Sequence, residues 1–143
     1  MREMNQLIFG TIKNESTFSS MSGATSSDPR VYKTRTPVHV KVSDDQPAYV
    51  IYRFTGSAEP PNKVHGAQRN DCIYSLEIYA KTSTMLSTIC DALETAFEDK
   101  SFSALNHRVG HSMAYRGAED FDDSREAYYE VMTVHLDHIF RVN

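Results

Sequence analysis

The segment HLDH places His135, Asp137 and His138 within four positions, residue types that bind a divalent metal. On a strand, alternate side chains share a face, so His135 and Asp137 point one way and His138 the other. Three ligands cannot converge there without a bulge. His107 and His111 stand four apart, a spacing that suits a helix, but their neighbours read as strand. Arg108 also stands where a zincin carries Glu. These histidines read as structural or surface residues, because zinc demands a specific ligand geometry. The acidic run Glu119, Asp120, Asp122, Asp123 and Glu126 lacks the alternating ligands, central Gly and closing Glu of an EF-hand. It reads as a solvated turn. No GxSxG is present, and neither cysteine has a recognisable His partner. Gly23, in SMSGATSSDPR, lacks the regular glycines and following Lys of a phosphate loop. No catalytic residue, metal ligand or cofactor is expected, and the chain reads as a protein that is not an enzyme.

The elements that must position these residues follow from apolar spacing. Met4, Leu7, Ile8 and Ile12 predict an N-terminal helix over 3–14, weakened by Gly10. A second helical turn is expected through Ser16–Met21, within a polar loop over 15–30. Residues 30–41 are locally basic, and Pro37 limits them to an edge or a strand start. Pro47–Phe54, PAYVIYRF, predicts a strand, and Thr55–Asp71 a long polar loop or hairpin tip. In CIYSLEIYAK, Tyr74, Leu76, Ile78 and Ala80 share a buried face, with Ser75, Glu77 and Tyr79 opposite. A helix capped by Thr82 or Ser83 follows, with Leu86, Ile89, Cys90, Leu93, Ala96 and Phe97 as its apolar stripe. Ala104–Gly117 predicts a weaker strand, then an acidic turn, then a long strand over Ala127–Val142. Its faces are Met132, Val134 and Leu136 against Tyr129, Val131, Thr133 and His135. The expected architecture is α+β: an antiparallel sheet with one main α-helix packed on one face, plus an N-terminal helix. One domain spans 1–143, with a β-β-α-β-β core over 46–142.

Composition narrows the class. The 143 residues suit one domain with a core that needs no staples. Hydrophobic residues make up 40% and charged residues 24%, a globular balance. The formal net charge of -4 excludes a pervasive basic field for wrapping nucleic acid. Cys72 and Cys90 are too few for a disulfide framework and read as buried reduced thiols. No signal peptide and no membrane span are expected. A soluble protein made in a cytoplasm is the expectation.

The basic segment, with Arg30, Lys33, Arg35 and Lys41, and the acidic turn suggest another use for charge. In a head-to-tail ring each subunit offers one surface to a different surface of its neighbour. Opposite charges there would set register. Arg30, Lys33 and Arg35 are the candidates for one face. Glu119, Asp120, Asp122 and Asp123 are the candidates for the other face or the lumen.

The order of elements carries a resemblance. It runs from the N-terminal helix and Val31-Tyr32 through Pro47-Ala48-Tyr49-Val50-Ile51-Tyr52 to Ile73-Tyr74-Ser75-Leu76-Glu77-Ile78-Tyr79-Ala80. The helix with Leu86, Asp91-Ala92-Leu93 and Phe97 follows, then the acidic turn and the Tyr-rich last strand Tyr128–Leu136. Over residues 5–142 this resembles the tail-completion, or tail-terminator, proteins of long-tailed phages. The stretch Ser16–Gln46 is longer and more polar than usual for them. The resemblance implies a structural virion protein of the neck, made in the host bacterial cytoplasm, which forms a ring, often a hexamer. Such a ring caps the tail tube and meets the head-side connector or stopper protein. Genomic DNA passes through its lumen without specific binding, and the family has no catalytic residues to carry over. Three alternatives stay open: a head-closure or other minor neck protein, a small metal-dependent hydrolase using His135, Asp137 and His138, and a small-molecule binding module.

Overall fold

The computed structural model describes residues 2–37, 40–58 and 70–142, with the backbone alone for Ser57, Ala58 and Asn70. Helices α1 (Arg2–Asn14) and α2 (Ser16–Met21) come first. They are followed by β1 (Val31–Lys33), β2 (Ala48–Ala58), β3 (Asn70–Ala80) and α3 (Ser83–Phe97). The chain continues through β4 (Lys100–Ala104), β5 (His107–Tyr115), β6 (Asp120–Asp122) and β7 (Ala127–Arg141). The strands form one sheet in the order β1-β2-β3-β7-β5-β4, and β6 also pairs with β7. Every pairing is antiparallel except β1 with β2. The fold is α+β, a largely antiparallel mixed sheet with helices packed against it.

The central strands β2, β3 and β7 form because each alternates residues for two buried or half-buried faces. Val50, Ile78, Leu76, Val134 and Met132 belong to the core shared with the helices. α3 starts where the Thr82 hydroxyl accepts from Met85 N–H at 3.2 Å. It buries Leu86, Ile89, Cys90, Leu93 and Phe97, while Ala96 is half-buried. Each large apolar side chain buried this way contributes about 1.5–3 kcal/mol. α1 adds Met4, Ile8 and Ile12, and α2 adds Phe18.

Several boundaries differ from the sequence reading. Within the polar loop 15–30, the helical turn expected at Ser16–Met21 is α2, whose first turn is capped by the Glu15 carboxylate accepting from Phe18 N–H at 2.7 Å. β2 and β3 extend into the expected loop Thr55–Asp71, which leaves 59–69 outside the described residues. β4 closes at Ala104, so a hairpin turn lies inside the segment read as one weak strand. The acidic turn contains β6.

The second sheet face carries its own cluster of Tyr49, Ile51, Tyr79 and Ala127, with Val40 over it. Tyr49, Tyr79 and Tyr129 are register partners on β2, β3 and β7. Their rings stack with centroid separations of 4.8 Å and 5.6 Å. The Arg125 guanidinium carbon lies 4.8 Å from the Tyr79 centroid, and its Nη1 donates to the Tyr49 hydroxyl at 2.9 Å. This ladder joins three strands through quadrupole and cation–π attraction as well as buried area.

Candidate functional site

A bulge does lie beside the HLDH segment. β3 and β7 pair Cys72 with Leu136 but Asn70 with Ile139, so one extra residue sits on β7. Leu136 and Ile139 are both buried although three apart. His138 takes a left-handed backbone, φ +57°, and its N–H donates to Asp71 Oδ1 at 3.2 Å. The strict alternation expected for His135, Asp137 and His138 is therefore broken. His135 packs edge-on against Tyr115, with centroids 5.2 Å apart. Among the described residues, no three His, Cys, Asp or Glu side chains are grouped to hold a metal ion.

The other histidine pair diverges. His107 Nδ1 meets the Glu3 carboxylate on α1. His111 Nε2 lies 2.8 Å from Asp99 Oδ1, just beyond α3. Cys72 and Cys90 are buried, and Cys90 is pushed up to about 12 by burial and by the neighbouring Glu130. A thiol held in that way is a packing group and not a nucleophile.

The charged residues proposed for the two subunit faces separate into spent and free groups. Arg30 is 2% exposed. Its Nε donates to Ala48 O at 3.1 Å, and its Nη2 donates to Lys41 O at 2.9 Å and Gln46 O at 3.2 Å. Its Nη1 faces the Tyr32 hydroxyl at 3.5 Å and Asp28 Oδ2 at 3.8 Å, so Arg30 organises its own chain and leaves the set of surface candidates. Lys33 and Arg35 are exposed on and just beyond β1. Glu119 accepts from Ser83 Oγ at 2.6 Å. Asp122 accepts from Ser124 Oγ and N–H and from Arg125 N–H, bonds that hold its carboxyl below the usual range. Asp120 and Asp123 are exposed beside Phe121, which is itself 44% exposed.

Two concavities flank α1. One, about 580 Å³, runs between α1 and the β4–β5 hairpin and is lined by Leu7, Thr11, Phe102 and Leu105 among others. The second, about 560 Å³, is lined by Arg2, Asn5, Gln6, Phe9, Lys33 and Tyr52. Phe9 and Tyr52 form its aromatic side, with centroids 6.4 Å apart and planes tilted by 50°. Asn5 Oδ1 accepts from the Tyr74 hydroxyl at 2.6 Å, which fixes that amide. Arg2 and Lys33 put positive charge at the pocket, and among the described residues its lining contains no acid. Sequence reasoning missed both this pocket and Phe121. The pocket draws on α1, β1 and β2, so no local motif encodes it. Phe121 did carry a signal, as the single aromatic in GAEDFDDSRE.

No family model matches the chain, and no curated protein matches it.

Proposed function

We propose that the chain is a structural subunit of a phage neck, a tail-completion protein that closes into a ring on the tail tube and meets the head-side connector. The reading rests on the resemblance in element order and on one observation above all. Lys33 and Arg35 belong to the β1 edge, whereas Asp120 and Asp123 belong to β6 and its turn, beyond β7. Four strand-to-strand steps separate β1 from β6, about 19 Å at the usual spacing. Unlike charges at two sides of one sheet favour a heterologous contact, which closes into a ring when the rotation allows. An overall acidic subunit also suits a lumen through which DNA slides without adhering.

The test is the mass of the purified protein by light scattering, alone and with purified tail tubes of a long-tailed phage. A closed ring, or a monomer that becomes a ring on the tubes, is the expected result. A strict monomer that ignores the tubes would remove the reading.

A further inference from the structure

We infer that the pocket between α1, β1 and β2 is the socket of a head-to-tail contact, and that its occupant is the Phe121 tip of a second copy of this chain. The inference rests on the ring reading above and assigns the contact within it. The socket offers the Phe9 and Tyr52 rings, with Arg2 and Lys33 at the same opening. Tyr52 is 6% exposed, so its ring is a fixed wall. The plug is β6, Asp120–Asp122, where Phe121 is the exposed aromatic. Phe121 is braced from behind by Tyr128, with centroids 5.0 Å apart and planes at 69°.

The two surfaces match in kind. An aromatic anchor entering an aromatic-walled pocket is the usual centre of binding energy at an interface. Around that anchor, Asp120 and Asp123 would face Arg2 and Lys33, which fixes register and accelerates encounter. Of the turn's carboxylates, Asp120 and Asp123 are the exposed ones nearest the ring that accept no side-chain hydrogen bond among the described residues. Asp122 is committed to Ser124 and Arg125, and Glu119 to Ser83. Asp120 also accepts from Phe121 N–H at 2.8 Å, which stiffens the tip. A contact within one molecule is ruled out by topology, because β6 pairs with β7 while the socket adjoins β1 and β2. Among the described residues, each copy therefore carries one open socket and one exposed plug.

The test compares self-association of the wild type with Phe121→Ser, Asp123→Lys and Lys33→Glu, all at exposed positions, by light scattering over a concentration series. Circular dichroism checks that each variant is folded. Each single change is expected to weaken association by about tenfold or more. Asp123→Lys and Lys33→Glu combined in one chain should recover much of that loss. A mixture of Phe121→Ser with Lys33→Glu should give dimers that do not grow, since only one intact socket–plug pair remains between them. If the wild type forms rings and the folded variants form them equally well, the socket assignment is wrong and the ring reading stands. If the wild type stays monomeric with and without tail tubes, both are wrong.

Discussion

The guanidinium carbon of Arg30 lies 5.5 Å from the ring centroid of Tyr49. Arg30 reaches this position from a left-handed backbone, φ +62°, that turns the chain into β1. Its donors gather three carbonyls, from Lys41, Gln46 and Ala48, so one side chain ties β1, β2 and the segment before β2 together. Arg30→Met should lower stability by about 2–4 kcal/mol, since it leaves carbonyls unpaired in a buried place. Arg30→Lys should recover less than half, because an ammonium cannot span the same fork. Urea unfolding midpoints give the comparison.

A second buried charge makes a different prediction. Glu130 is 4% exposed and receives the Arg116 fork, with Nη2 to Oε1 at 3.0 Å and Nε to Oε2. Arg116 Nη1 also donates to Asp91 Oδ1 at 2.6 Å on α3. Arg116→Met alone should cost about 3–5 kcal/mol by stranding a buried carboxylate. Arg116→Met with Glu130→Met should be closer to wild type than either single change. A double-mutant cycle in urea would read this coupling directly.

Alkaline pH should unfold the protein by a definable route. Burial pushes Tyr32, Tyr79 and Cys90 up to about 12, and pushes Tyr74 up as well. For Tyr32, the hydrogen bond to Asp28 raises it further. The native state therefore holds protons that the unfolded chain releases above its ordinary thiol and phenol values. Stability from these groups is fully present below about pH 9 and declines as pH rises toward 12. Phenolate absorbance should show part of the tyrosine titration only as circular dichroism is lost. A full tyrosine titration in the folded state would contradict this.

Two glycines should respond to alanine with opposite sign. Gly23 has φ +72°, and a Cβ there would press on the Asp45 carbonyl and on Gln46 Cα. Gly23→Ala should cost about 1–3 kcal/mol. Gly10 lies inside α1, where a Cβ meets nothing within 4 Å. Gly10→Ala should stabilise by about 0.4–1 kcal/mol. Thermal melts of the two variants would separate the effects.

The legible parts of the fold were those encoded by local spacing. The α3 stripe, a cap at Thr82 or Ser83, which the structure places at Thr82, and the alternation in β3 and β7 each repeat a pattern that one element imposes on its own sequence. The rest depends on partners distant in the chain. β1 is three residues long and exists because Val31, Tyr32 and Lys33 meet Val50, Ile51 and Tyr52. β4, KSFSA, holds one large apolar residue and follows α3 closely, so it carries almost no periodicity. The bulge at His138 has no Gly to announce it. Arg30 misled for the same reason: three convergent carbonyls are invisible until the chain is folded. Of the candidate interface, Lys33 and the acidic turn were legible as charge, whereas Phe9 and Tyr52 become one wall only when α1 lies against β2.

The most direct test of a head-to-tail ring is negative-stain electron microscopy of the purified protein, alone and added to phage tail tubes. Closed rings of identically oriented subunits around an open channel, free or seated at tube ends, are the predicted result. A two-fold dimer, or a monomer that leaves the tubes bare, would contradict it.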